Sequence, residues 1–276
     1  GWVGYTTLAA DIHPAAPGVI DVRDNPSPMA VSDAVATAPD GATILVKRGV
    51  TYNFPEDNLN KSVTIRGAYG FGEQKAMLFT TGNWNIDDGS TIGHIRFIDL
   101  ELRGEDMGGD YVFNPNRDNV AVGEVLFENC HITNFRGIFR LRGTTSINDF
   151  KIIDSRIDSI GNYGLLTCDT NPASEGSPKT AHVNNILFQN STFSEVEVGI
   201  QSRNNSESLV IEGCTFYNFP ATGNRFLRFR GGDGNNNVMN GIEIVDSIFG
   251  HSWDENDEGN YGGVRNEGLG GTNFTI

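Results

Sequence analysis

The stretch Val125-Leu-Phe-Glu-Asn-Cys-His-Ile132 decides the fold, because five other stretches align with it without a gap. They are Ile95-Arg-Phe-Ile-Asp-Leu-Glu-Leu102, Phe150-Lys-Ile-Ile-Asp-Ser-Arg-Ile157, Ile186-Leu-Phe-Gln-Asn-Ser-Thr-Phe193, Leu209-Val-Ile-Glu-Gly-Cys-Thr-Phe216 and Ile242-Glu-Ile-Val-Asp-Ser-Ile-Phe249. The shared pattern is apolar-x-apolar-x-(Asn/Asp)-(Cys/Ser)-x-apolar. Residues 44–46 and 63–65 read as weaker copies.

Each column has a physical meaning. The first and third positions alternate apolar, as a strand with one buried face requires. The fifth column holds Asp99, Asn129, Asp154, Asn190, Gly213 and Asp246. These residue types tolerate the left-handed bend of a tight corner. The sixth column is mostly small (Cys130, Ser155, Ser191, Cys214, Ser247), and the eighth is an apolar stack from Leu102 to Phe249. The third-position residues lie 30, 25, 36, 23 and 33 residues apart from Phe97 to Ile244. Coils of near-constant length with extra residues looped out account for these steps, and such insertions map to one face.

An all-β, right-handed parallel β-helix follows, with a short N-terminal capping helix. Ala30-Val-Ser-Asp-Ala-Val-Ala-Thr-Ala38 before Pro39-Asp-Gly41 predicts that helix, placed over the open end of the coil to cover exposed strand edges. A β-sandwich would not hold its columns in register. Residues 1–29 read as an N-terminal extension. Residues 30–276 read as a single domain whose strand-like end, 272–276, leaves room for continuation beyond the C-terminus.

Composition narrows function. The chain of 276 residues carries a net charge of −15, which argues against a general nucleic-acid partner. No run of 18 or more apolar residues exists, so no transmembrane helix is expected. Three cysteines fit neither a disulfide scaffold nor a zinc site.

A second set of strands aligns further along each coil: Phe139-Arg-Leu-Arg-Gly143, Leu165-Leu-Thr-Cys-Asp169, Ile200-Gln-Ser-Arg-Asn204, Phe226-Leu-Arg-Phe-Arg-Gly231 and Gly263-Val-Arg-Asn266. One outward column reads Arg140, Leu166, Gln201, Arg228, and the next reads Arg142, Cys168, Arg203, Arg230, Arg265. At a coil spacing of ~4.8 Å this lines guanidinium groups up one sheet. Guanidinium forks match carboxylates and sulfates, so the ladder suits an acidic polysaccharide. The alternative is pairing with the protein's own acids, such as Asp169 or Glu195. Asp169, Asn204, Tyr163 and Trp253 complete the candidate binding set, with Trp84 a second loop aromatic that could face a sugar ring. Segments 104–119, 169–182 and 231–240 are expected to wall a groove after this sheet.

Catalysis is read as absent. Were the chain a lyase, Arg203, Arg228, Arg230 and Lys151 would be the candidates for its base. No cofactor is assigned. Calcium is the ion left open, with Asp169, Glu195 and Glu197 as the candidate ligands. Hydrolysis needs a carboxylate pair, and no column beside the arginines supplies one.

The stretches Pro39-Asp-Gly-Ala-Thr-Ile-Leu-Val-Lys47 and Lys61-Ser-Val-Thr-Ile-Arg-Gly67 resemble the N-terminal coil of pectate-lyase-like β-helix proteins. Asn162-Tyr-Gly164, Ile211-Glu-Gly-Cys-Thr-Phe-Tyr-Asn218 and Asn240-Gly-Ile-Glu-Ile-Val-Asp-Ser-Ile-Phe-Gly-His-Ser-Trp253 are similar to a poorly characterised lyase-like β-helix family found on surface glycan-utilisation proteins of Bacteroidota. The resemblance runs from about Ala30 onward. It implies a secreted or cell-surface location, a polysaccharide partner, and a monomer or a module of a larger surface protein. The acid and arginine signature of pectate lyases is not recognisable here. The expected function is therefore binding of a uronate-containing polysaccharide, with a β-eliminating lyase as the first alternative and a structural or adhesive β-helix as the second.

Overall fold

The computed structural model describes residues 13–55, 57–68, 74–170, 180–220, 225–231, 234–235, 237–250 and 266–276. Among these are twenty-two strands and one helix. The strands coil as a right-handed parallel β-helix. Each coil contributes to three faces. The first face is its own sheet, and the second and third share one sheet that bends between them.

The octad alignment is the register of the first face. Ile44, Ile65, Phe97, Phe127, Ile152, Phe188, Ile211 and Ile244 pair in succession, each directly over the last. The eighth column pairs the same way on the second face, from Tyr52 and Leu78 through Leu102, Ile132, Ile157, Phe193 and Phe216 to Phe249. A third inward column, on the third face, runs Trp84, Phe113, Phe139, Leu166, Ile200, Leu227. Aromatic rings stack within these columns: Phe97 on Phe127 at 5.2 Å and Phe113 on Phe139 at 4.8 Å. Stacking at coil spacing buries large rings against their own kind, which is favourable beyond area alone.

The corner between the first two faces is made by residues in the left-handed region. Asp99, Asn129, Asp154, Asn190 and Asp246 have φ between 49° and 57°, and Gly213 has 63°. A second left-handed set (Asn134, Ser159, Glu195, Asn218) turns the chain from the second face to the third. The first corner points its next residue inward, where the small column does polar work. Ser155 Oγ accepts the N–H of Cys130 at 2.9 Å and donates to the Ile153 carbonyl at 2.7 Å. Ser191 accepts from Ser155 N–H and Ser247 from Cys214 N–H in the same way. A buried N–H left without such a partner would cost about 1–3 kcal/mol. Cys130, Cys168 and Cys214 are buried free thiols. Burial pushes the first two up to about 12 and raises the third.

The helix Ala30–Thr37 buries Ala30, Val31, Ala34 and Val35 into the same core. It stops at Ala38, before Pro39, and Lys61 Nζ donates to the carbonyls of Val35, Ala36 and Ala38. A cation there suits the negative end of the helix. The parallel sheet begins before this helix: Val19–Asp21 pairs with residues 43–45, inside the segment expected to be an extension. A three-residue strand carries too little alternation to be read from sequence. At the other end, Phe274–Thr275 pairs with Ile242 and Glu243. No helix among the described residues is long and apolar enough to cross a membrane.

Two expected loops differ. Residues 104–119 contain the strand Tyr111–Phe113, so only 104–110 loop out, and they do so before the third face rather than after it. Trp84 is not a loop aromatic. It is 1% exposed, stacks on Phe113 at 4.8 Å, and donates Nε1–H to the Asp57 carbonyl. Its polar neighbours Asn83 and Asn85 disguised a core position.

Two substitutions test this architecture by urea unfolding. Phe127→Ala is expected to lose about 3–5 kcal/mol through the cavity it leaves. Asn190→Val is expected to lose about 1–2 kcal/mol from left-handed strain, with Asn190→Gly largely neutral; an unchanged Val variant would show that the corner does not constrain the coil.

Candidate functional site

The third face carries the arginines outward. Its inward residues are Phe139, Leu141, Leu166, Cys168, Ile200, Ser202, Leu227 and Phe229. The outward column between them reads Arg140, Thr167, Gln201, Arg228, Glu267. The next outward place belongs to Arg142, Asp169 and Arg203, because Leu141 pairs with Cys168 and Cys168 with Ser202.

This corrects the expected columns at two coils. Phe139 pairs with Leu166 rather than Leu165, so Cys168 points inward and Asp169 takes its place between Arg142 and Arg203. Leu165 and Leu166 are both apolar and both buried, so the sequence allowed either register. In the last coil Asn266 pairs with Leu227 rather than lying beside Gly231, which brings Glu267 beside Arg228. Arg265 and Trp253 lie outside the described residues. Arg230 sits on the strand Leu227–Gly231, where its backbone pairs with Asn235 in antiparallel fashion.

The strip interleaves charges. Asp169 is the hub: Arg140 Nε donates to Oδ2 at 3.0 Å, and Arg203 Nε to Oδ1 at 3.3 Å. Glu267 pairs with Arg225 and, at 3.4 Å, with Arg228. Burial would lower the Arg140 guanidinium, but Asp169 outweighs it and raises the group above its ordinary value. Arg142 shows the opposite. Burial first, and then the neighbouring Arg140 charge, lower it. Arg142 Nη2 donates to the Asn114 carbonyl at 3.4 Å, while Arg142 Nε and Asn114 Oδ1 are buried without hydrogen-bond partners. Among the described residues no carboxylate lies within ion-pair distance of Arg142.

An aromatic cage backs this strip. The guanidinium of Arg140 lies 4.2 Å from the Tyr163 ring centre and 5.9 Å from that of Tyr111, and Arg136 lies 4.8 Å from Tyr163. The two tyrosines meet edge to face at 5.5 Å. Tyr163 therefore orients arginines, a role its place in a loop-like Asn-Tyr-Gly stretch did not reveal. Arg136 and Asn114 were missed as well. They follow the 104–110 insertion on successive coils, and no local spacing joins them.

Other candidates lie elsewhere. Asn204 Nδ2 donates to the carbonyls of Thr170 and Ala181, so it fastens the two ends of an insertion rather than facing a ligand. Lys151 is on the first face, held at 2.7 Å by Glu124, which also takes Arg96. Glu195 is exposed at the left-handed corner. Glu197 is half-buried, and burial raises its carboxyl. These two and Asp169 do not gather, and no group of three ligand side chains occurs among the described residues.

A separate polar knot sits on the second face. Asp158 accepts from Thr133 Oγ1 at 2.7 Å and Arg156 Nε at 2.9 Å, and lies 2.8 Å from His131 Nε2. The Asp158 carboxylate thus ties the other three side chains together.

The fold and this surface define the class: a parallel β-helix with a cationic, tyrosine-backed strip on one face. The chain belongs to the family described as Domain of unknown function (DUF4957), whose family model matches residues 51–193. Similar solved structures are a PL6 family alginate lyase, AlyGC, and a mutant of it. Each is 14% identical with a TM-score of 0.52, covering 98% of this chain and 41% of that one. This chain thus spans about two fifths of the lyase's length, and the likeness is one of fold. No curated protein matches the chain.

The Asp158 knot has a pH consequence. Burial pushes this carboxyl up, but His131, Thr133 and Arg156 outweigh it and bring it from 3.8 to about 2. A folded value below the unfolded one stabilises at higher pH, and that contribution is lost as pH falls through the folded value. Asp158→Asn is expected to flatten the acid limb of stability between pH 3.8 and about 2, read from urea midpoints across pH. An unchanged limb would assign acid sensitivity to other groups.

Proposed function

We propose that this protein binds an acidic, uronate-containing polysaccharide on the third face and does not cleave it. One observation carries the reading. Arg142 sits half-buried in a surface where guanidinium groups outnumber carboxylates, and among the described residues no carboxylate lies within ion-pair distance of it. A guanidinium held without a carboxylate of its own asks for a group that can supply one. A uronate sugar does so. The fold shared with an alginate lyase supports a polymer of that chemical class. A secreted or cell-surface setting, as a single chain or a module, belongs to the same reading.

The second reading is a lyase that uses β-elimination. The shared fold and the lowered guanidinium of Arg142 favour it. Against it, Arg140 and Arg203 are tied to Asp169, and Arg228 to Glu267. Calcium would serve that reading by neutralising the substrate carboxylate, so the assay includes it.

Affinity electrophoresis in polygalacturonate, alginate and chondroitin sulfate, with and without calcium, tests both readings alongside ultraviolet absorbance of unsaturated product. Retardation that weakens with salt, without absorbance, is expected. Arg142→Gln should lose about 10- to 100-fold in affinity, the worth of one charge-assisted contact. Rising absorbance would make the protein a lyase. Silence in both assays would leave a structural role.

A further inference from the structure

Asp169 occupies the place where a ligand carboxylate would be expected. It stands outward between Arg142 and Arg203, about one coil, ~4.8 Å, from each. Its two oxygens are spread over Arg140 and Arg203. That is the geometry in which guanidinium forks receive a carboxylate from elsewhere. The backbone around it is fixed independently of the side chain. Asp169 N–H donates to the Leu141 carbonyl at 2.9 Å, and Arg203 N–H to that of Cys168 at 3.0 Å. Asn204 holds the Thr170 carbonyl at 3.2 Å. Arg140 is further steadied by the rings of Tyr163 and Tyr111, so its position does not depend on Asp169 alone.

We infer that Asp169 is a built-in competitor that sets how many ligand charges the strip accepts. This rests on the acidic-polysaccharide reading. With the Asp169 carboxylate in place, a polymer is received at Arg142. Arg140 and Arg203 join only when that carboxylate gives way. The strip thereby selects polymers whose anionic groups are well spaced over those that are densely charged.

The opposite role, a scaffold that positions two arginines for the ligand, predicts the opposite sign, so Asp169→Asn decides between them. The variant keeps the shape and removes the charge. Affinity electrophoresis in polygalacturonate at two ionic strengths is the measurement, with the thermal midpoint as the check on folding. Binding at least about fivefold tighter is expected, with a steeper loss in salt because more guanidiniums now exchange counterions with the polymer. Asp169→Ser, which removes the carboxylate with a different shape, should shift the same way and guards against a folding defect in either variant. Wild-type binding with equal or weaker binding by both variants would overturn the inference and leave the polysaccharide reading standing. No binding by wild type or variants would overturn both.

Discussion

Everything in this molecule depends on one constraint: each coil must return its chain to the same place, one strand spacing higher, with the same side chain facing in. A slip of one residue would turn the aromatic columns outward and the arginines inward. The left-handed corner residues enforce the return. Asp99, Asn129, Asp154, Asn190 and Asp246 share a φ near 50°, a conformation costly for most side chains and tolerated by Asn and Asp. The hydroxyl of the next residue then satisfies an N–H of the coil below. Corner, hydroxyl stack and ring stack are three expressions of one repeat distance.

That is why the first and second faces were legible in the sequence. Their octads combine a corner residue, a small polar residue and three apolar positions, and only one register satisfies all of them. The third face has no such anchor. Its strands are short and follow corners of varying length, and Leu165 and Leu166 present equal apolarity in two registers. Trp84 was misplaced for a related reason: a single bridge to Phe113 leaves no alternating pattern to read. The short strand Val19–Asp21 went unseen on the same account.

The candidate site was legible as chemistry and not as geometry. An arginine-rich face could be read from Arg140, Arg142, Arg203 and Arg228. Its internal neutralisation could not, because Asp169 and Glu267 enter the ladder only once the register is known. Like charges stacked at coil spacing repel, and the structure answers by inserting a carboxylate between them. The tyrosine cage escaped notice because it joins Tyr111 to Tyr163 across a coil that contributes Gly137 between them. A Cβ at Gly137 would lie 2.9 Å from Tyr163 and 3.1 Å from Tyr111, so the glycine is what lets the rings meet.

The cysteines have a practical consequence of another kind. Cys130, Cys168 and Cys214 lie on three different coils, each sealed in the interior, with thiols raised away from the reactive thiolate form. A solenoid touches only its neighbours, so its coils need not open together. Each sulfur is thus a silent marker for one height along the axis, exposed to an alkylating reagent only when its own coil comes apart. The order in which the three become labelled would chart the unzipping of the solenoid, with no foreign probe added.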